Sequence, residues 1–346
     1  MGETLADLGE WELIRRLGAF APPGQFSDDA ALLNHGGERA GQLVINTDVL
    51  VEGVHFSDAT TAAADVGWRA AAANLSDLAA MGCTEVVGIT VGLVAPASTP
   101  WGWVEGVYGG LQEALEAHGG VLLGGDCSGG AQRMLAVTAI GRLDAAVGPI
   151  RRADGQPGDL LVCTGPHGLS RLGLALLQEE IQLSTNAGGD REGAALAARA
   201  IGAHRRPRPR FDAVRALIAS RPAGSPWRVG GCDSSDGLAA AVAAIAAASG
   251  CSARLDRNGL PLDPFMAALP EAERWCLGGG EDFELVLALK PAWAAALPAF
   301  LPGTVPIGAL VAGNPGDLGW TDGTAWGDGV GALGGYRHFS EEAHKG

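Results

Sequence analysis

Gln42-Leu-Val-Ile-Asn-Thr-Asp-Val-Leu-Val51 is dominated by β-branched and aliphatic residues and reads as a strand. An alanine-rich helical stretch follows over 62–81, and a second β-branched run, 85–94, reads as another strand. A strand, a long helix and a strand in immediate succession place the chain in the α/β class. Working outward, 30–33 is a strand, 101–118 a helix, and 120–123 and 135–143 are strands, so the first domain runs β-β-α-β-α-β-β over 1–148. Ahead of it, 10–17 is a helix with Trp11, Ile14 and Leu17 on one face, ended by the break Pro22-Pro-Gly24.

The second domain, 149–346, opens with a loop over 149–158. Strands are expected at 159–164, 227–233, 252–256, 283–289 and 305–311, with helices at 168–179, 190–201, 211–219, 235–249 and 291–300. His204-Arg-Arg-Pro-Arg-Pro-Arg210 is expected to be non-helical, because each proline restricts the residue before it. The alternation is α/β with mixed rather than purely parallel sheets. Leu75-Ser-Asp-Leu-Ala-Ala80 and Ser234-Ser-Asp-Gly-Leu-Ala-Ala240 form a faint internal echo between the halves.

With 346 residues, 47% hydrophobic and 18% charged, the chain suits two folded domains. A formal charge of −15 argues against nucleic acid or an anionic membrane as partner. The six cysteines show no Cys-x-x-Cys pair and lie in apolar segments, which suits reduced, buried thiols in a cytoplasmic protein. No signal-peptide pattern is seen at the start, and the longest apolar run, 238–249, is short of the roughly 20 residues that span a bilayer. Lysine occurs only at 290 and 345, so a phosphate bound here must be neutralised by metal or arginine. No P-loop is present, and Gly329-x-Gly331-x-x-Gly334 lacks the flanking strand and helix of a dinucleotide site.

Acidic clusters punctuate the ends of the expected elements: Asp28-Asp29, Thr47-Asp48, Asn74 with Asp77, Gly124-Gly-Asp126, Asp233 to Asp236, and Glu281-Asp282. Magnesium takes oxygen ligands, commonly one or two carboxylates plus substrate phosphates, and such scattered aspartates suit it. Two carboxylates about 4 Å apart repel by roughly 4 kcal/mol at an effective dielectric of 20, so several converging on one cleft call for cations. Structural alternatives stand beside each cluster: a turn at Asp28-Asp29 and at Gly124-Gly125, a solvated helix face for Asn74 and Asp77, a helix cap for Ser235 or Asp236. His55 is either packed or a ligand. The arginines of 205–210 either bind anions or form a surface connection.

Taken together the motifs resemble thiamine-monophosphate kinase, a family of the aminoimidazole-ribonucleotide synthetase superfamily. The resemblance spans almost the whole chain. It is carried by Gly9-Glu-Trp-Glu-Leu-Ile14, Asp28-Asp-Ala-Ala-Leu32, Thr47-Asp-Val-Leu-Val-Glu-Gly-Val-His-Phe56, Asn74-Leu-Ser-Asp-Leu-Ala-Ala-Met-Gly82, Gly124-Gly-Asp126, Pro157-Gly-Asp159, Arg206-Pro-Arg-Pro-Arg210, Ser234-Ser-Asp-Gly-Leu238, Gly279-Gly-Glu-Asp-Phe-Glu-Leu285 and Gly335-Tyr336. It implies a two-domain PurM-like fold and a homodimer whose N-terminal sheets join in a shared barrel. It also implies direct transfer of the ATP γ-phosphoryl group to thiamine monophosphate, giving thiamine diphosphate. By the same resemblance Asp29, Asn46, Thr47, Asp48, Asp77, Asp126, Asp233 and Asp236 hold several magnesium ions. Tyr108, Gly125, Arg152 and Ser235 contact ATP, and His55, Glu281 and Tyr336 contact thiamine. The chain departs from the family in three places. Asn46 stands where Ser or Thr is usual, Cys127-Ser-Gly129 where Thr-Thr-Arg is usual, and Gln25-Phe-Ser27 where Gly-Ile-Gly is usual. Selenophosphate synthetase needs a reactive cysteine near its start, and no cysteine precedes Cys83. Hydrogenase-maturation relatives end in a reactive cysteine, where this chain has His344-Lys-Gly346. An aminoimidazole-ribonucleotide synthetase-like enzyme and a non-catalytic binder of magnesium nucleotides or thiamine phosphates are the remaining alternatives.

Overall fold

Strand register determines which side chains meet. The computed structural model describes residues 4–21, 27–33, 42–145, 147–183, 190–324 and 326. In the first half β1 (Ala31–Leu33), β2 (Leu43–Val51), β3 (Cys83–Ala95), β4 (Val121–Gly129) and β5 (Met134–Leu143) form a sheet of order β1-β2-β5-β3-β4. Every pairing is antiparallel except β3 with β4. Helix α1 (Leu5–Leu17), kinked at Gly9, precedes the sheet; α2 (Ala63–Ala80) and α3 (Trp101–His118) follow β2 and β3.

Period-two alternation divides the sheet. Leu135, Val137, Ala139 and Leu143 of β5 are buried, and the alternate residues of that strand are only partly covered. Helix α2 packs on the buried face, against β2, β3 and β5, and α3 lies against α2. The two helices approach so closely that a side chain at Gly67 would overlap the Val107 carbonyl and one at Gly110 would overlap that of Ala64.

The second half forms a sheet of order β11-β8-β10-β6-β9-β7. Its strands are β6 (Leu160–Cys163), β7 (Gly230–Asp233), β8 (Ser252–Leu255), β9 (Leu285–Leu289), β10 (Val305–Val311) and β11 (Leu318–Trp320), and only β11 pairs in parallel. Its helices are α4 (Leu169–Leu177), α5 (Asp190–Arg205), α6 (Phe211–Ala219), α7 (Leu238–Ala248), α8 (Ala272–Gly278) and α9 (Pro291–Ala296). One apolar cluster runs from Val44 and Leu75 through Val214 to Leu287 and Trp293, so the halves share a core. The architecture is the expected mixed α/β, in two parts.

Several boundaries differ from the sequence reading, and three of them bear on the site. Strand β4 continues through Gly124-Gly-Asp126 instead of ending before it, because it stays paired to β3 as far as Gly129. Helix α5 runs on through His204 and Arg205, since Pro207 restricts only Arg206. Helix α7 starts at Leu238, leaving Ser235 and Asp236 in the turn before it. Three of the four arginines of 205–210 are engaged by protein groups: Arg205 donates to the Thr60 carbonyl, and Arg206 pairs with Asp65 and Glu113. Arg210 pairs with Asp212 and Glu284. All six cysteines are free, and no described helix is long and apolar enough to cross a membrane.

Candidate active site

Strand β1 covers β2 only at Leu43–Ile45, and beyond that the edge of β2 borders a cavity of about 930 Å³. Asn46 and Asp48 alternate onto the face covered by α2. Asn46 Nδ2 donates to Asp77 Oδ2 at 2.7 Å and to Asn74 Oδ1 at 3.3 Å, and the Asp48 backbone N–H donates to Asn74 Oδ1 at 3.1 Å. Asn74 is fully buried, which removes the solvated-face reading of this helix. From the second half, Asp233 ends β7 with 5% of its surface exposed and accepts from Ser76 Oγ at 2.7 Å and Ser235 Oγ at 2.8 Å. Neither Ser235 nor Asp236 caps α7, whose cap residue is Gly237 with no side-chain bond. Asp29 pairs with the Arg152 guanidinium, and the Arg152 backbone N–H donates to Asp28 Oδ1 at 2.9 Å.

These carboxylates feel one another. Burial pushes the Asp29 carboxyl up to about 7 against the pull of Arg152, with Asp233 and Asp28 adding repulsion. Burial, then Asp233 and Asp236, lifts Asp48 to about 6. Asp77 is raised well above the carboxylate range by burial and by Asp48, Asp233 and Asp29. Aspartates from both halves therefore meet in one cleft. Among the described residues no three acidic, imidazole or thiol groups form a finished metal cage. That is compatible with magnesium, which takes few protein ligands where substrate phosphates complete its shell. Asn46 Oδ1, buried with no partner, is a neutral oxygen available to such an ion. The donor set fits magnesium.

The rest of the cavity wall differs in character. Ser235, Asp236 and the loop Gly278–Glu281 line it, with His55, Arg69, Arg171 and Arg274. The glycine loop presses against the β7–α7 turn: a side chain at Gly280, where φ is +67°, would lie 2.8 Å from the Ser235 carbonyl oxygen. His55 Nδ1 accepts the Val51 N–H at 3.0 Å, which places the proton of a neutral ring on Nε2. Arg171 is anchored to Glu180 through Nη2 at 2.6 Å, and its Nη1 is buried without a partner.

Not every residue expected at the site reaches it within one chain. Thr47 borders the cavity, but its hydroxyl bonds Thr138 at 2.8 Å on the sheet face opposite Asp48. Asp48, Val137, Val91 and Gly125 lie in one cross-strand row, so Gly125 is three strand spacings from Asp48, about 14 Å. Asp126, next along β4, pairs with Gly92 and turns to the opposite face. Tyr108 stands on the Gly125 side of the strand, hydrogen-bonded to Cys127, its hydroxyl pKa raised chiefly by burial. Gly125 has a structural reason as well, since a side chain there would overlap the Val91 carbonyl. Tyr336 and the Gly329 to Gly334 motif lie outside the described residues. Residues the sequence reading passed over are Arg69, His204, Arg171 and Arg274. Arg69 carried a signal in its spacing, since 69, 73 and 77 fall four apart on α2 and all three line the cavity.

The fold and this cleft define a class of two-domain proteins, and comparison with known families agrees. Residues 27–143 match the family described as AIR synthase related protein, N-terminal domain, and residues 156–317 match its C-terminal domain. The thiamine-monophosphate kinase of Prochlorococcus marinus is 46% identical over 324 residues, covering 93% of each chain. That of Synechococcus elongatus is 48% identical over 295 residues, covering 85% of this chain and 86% of the relative. The chain is also similar to the solved structure of AaThiL complexed with AMPPCP and TMP, at 26% identity and a TM-score of 0.80, over 98% of this chain and 99% of that one. The chain belongs to the thiamine-monophosphate kinase family, within the AIR synthase related proteins.

Proposed function

We propose that this protein transfers the γ-phosphoryl group of ATP to the phosphate of thiamine monophosphate, giving thiamine diphosphate. The relatives and the ligands of AaThiL support it. The observation that carries it is the meeting of Asp29, Asp48, Asp77, Asp233 and Asp236 from both halves at one cleft, where burial first and neighbouring carboxylates second raise the pKa values of Asp29, Asp48 and Asp77. Those residues, with Asn46, would hold magnesium, which when bound supplies charge neutralisation for the phosphates of both substrates. The acceptor is already an anionic phosphate oxygen, so no side chain has to remove a proton.

The chain's own groups then position the partners. Ser235 and Arg152, whose Nε is buried without a partner, flank the carboxylates and contact the nucleotide phosphates. His55 and Glu281 sit further along the cavity and take the thiamine half, and Tyr336 is assigned there too. Positioning and electrostatics do the rest of the work.

Tyr108, Gly125 and Asp126 complete the site from a second copy. Strand β4 is an edge, exposed along its length, with Val121 58%, Leu122 46% and Leu123 48% accessible. An edge of this kind with an uncovered apolar sheet face beside it favours pairing with another chain. A homodimer that closes the two N-terminal sheets into a barrel would cover both. A cytoplasmic location belongs to the same reading, supported by the six free cysteines.

Phosphorus NMR of the protein with ATP, magnesium and thiamine monophosphate tests the reaction, with formylglycinamidine ribonucleotide as a control. Thiamine diphosphate with equimolar ADP is the expected result. ADP with the ribonucleotide alone would move the chain to the synthetase branch, and silence with both would leave a binding protein.

A further inference from the structure

Arg69 is a cation buried to 3% exposure on α2, on the face that also carries Asp77. Its guanidinium reaches acceptors from three other segments. Nη2 donates to Glu281 Oε1 in the glycine loop and lies 3.5 Å from the His55 carbonyl oxygen beyond β2, and Nη1 donates to the His204 carbonyl at the end of α5. Two of those three partners, Glu281 and His55, are the residues given above to thiamine.

Glu281 needs such a tether. Its φ is +57° and that of Phe283 is +52°, in the left-handed region that residues with side chains hold only when their surroundings impose it. The Glu281 N–H donates to the Ser235 carbonyl at 2.7 Å, and Arg69 secures the other end of the residue. The side chain nevertheless keeps 34% of its surface open at the cavity, so it is fixed without being sealed. His204 Nδ1 stands 3.8 Å from Glu281 Oε2. Burial and the charge of Arg69 hold this imidazole at about 4, so it is neutral at pH 7 and Arg69 is the main positive charge acting on the carboxylate. Trp275 and Phe283 supply apolar wall to the same cavity.

We propose that Arg69 is a positioning residue for the heterocyclic half of the substrate: it presets the Glu281 carboxylate and the His55 segment as the acceptor for a planar, cationic, amino-bearing ring. The inference rests on the kinase reading above. ATP phosphates bind at the aspartate end, so Arg69 acts on one substrate and not the other.

The test is steady-state kinetics on the full chain, with thiamine monophosphate and ATP varied separately, for Arg69→Met, Glu281→Gln, the double variant and Arg69→Lys. Losing a hydrogen bond to a charged group raises KM for thiamine monophosphate by roughly 10- to 100-fold in each of the first two, while kcat and KM for ATP stay within about twofold. The double variant is no worse than the weaker single one, because Arg69 acts through Glu281. Lysine recovers part of the loss, having a point charge in place of a planar fork. Equal rises in both KM values, a fall in kcat alone, or additive losses would overturn the proposal. If the methionine variant does not fold, Arg69→Lys with Glu281→Gln completes the same cycle. The wild-type protein is assayed first; no turnover there defeats the kinase reading and this inference with it, whereas turnover with an unchanged thiamine KM in the variants defeats this inference alone.

Discussion

Asp29, Asp48 and Asp77 would each titrate near 3.8 in an unfolded chain, and burial with mutual repulsion raises all three in the folded one, Asp29 to about 7 and Asp48 to about 6. The folded protein therefore binds their protons more tightly than the unfolded chain does. Stability from these groups is fully present below about pH 4 and is lost as the pH rises through 6 and 7. Thermal unfolding of metal-free protein should accordingly show a melting temperature that falls across that window. Magnesium with a non-hydrolysable ATP analogue should restore more at pH 8 than at pH 5, with about 2.7 kcal/mol gained at 100 times the dissociation constant. A melting temperature indifferent to pH would mean that the carboxylates do not share a cleft. Asp77→Asn separates the two roles of that residue. Its amide oxygen still accepts from Asn46 Nδ2, the bond seen at 2.7 Å, while one negative charge leaves the cluster. Metal-free stability should rise, because the amide carries none of the cost that burial and the neighbouring carboxylates place on the Asp77 carboxylate. Turnover should be abolished. A variant that is both more stable and fully active would remove Asp77 from the metal site.

Helix α2 delivers Arg69, Asn74 and Asp77, so the site depends on how that helix is seated. It seats against α3 through glycine: a side chain at Gly110 would overlap the Ala64 carbonyl, and one at Gly67 that of Val107. Gly110→Ala adds helix propensity and yet should destabilise the protein by about 1–3 kcal/mol in urea unfolding, because the overpacked helices must separate. A neutral or stabilising outcome would show that the α2–α3 contact is loose. The glycines of α3 carried no such message in the sequence, where a helix pattern records which face is apolar but not which backbone lies against it. Elements with a strong period were legible: α2, α3, β2, β5 and β10 lie within a residue or two of their expected bounds. Leu318–Trp320 was not, being three residues defined only by pairing with β8, nor was α8, which runs up to the glycine loop. The aspartates of the cleft could be picked out as acids at element ends. Arg69 could not be joined to Glu281, since 212 positions separate them and only the packing of the two halves brings them together.

At the scale of the whole molecule, a single chain holds two separate pieces of the site the sequence led one to expect. Asp48 and its neighbours line the cleft, and Asp126 and Gly125 lie about three strand spacings away on the exposed edge β4, with Tyr108 beside them. A two-fold dimer built on that edge brings the β4 of each copy toward the sheet of the other, and its interface is self-complementary by symmetry. If each working site draws Asp48 from one chain and Asp126 from the other, Asp48→Asn and Asp126→Asn homodimers are both inactive, but they fail at different places. Co-expression of the two variants then yields mixed dimers in which one site gathers both substitutions and the other gathers none. With random pairing half of the dimers are mixed and each has one intact site, so about a quarter of wild-type activity should return. A site contained within a single chain gives the opposite result, because every site in the mixed dimer then carries one substitution. Activity in the co-expressed sample, measured as thiamine diphosphate formed per protomer without separating the species, decides between the arrangements. Recovery near a quarter places Asp126 across the interface, and none returns it to its own chain, where β4 would have to leave its pairing with β3 to reach the cleft.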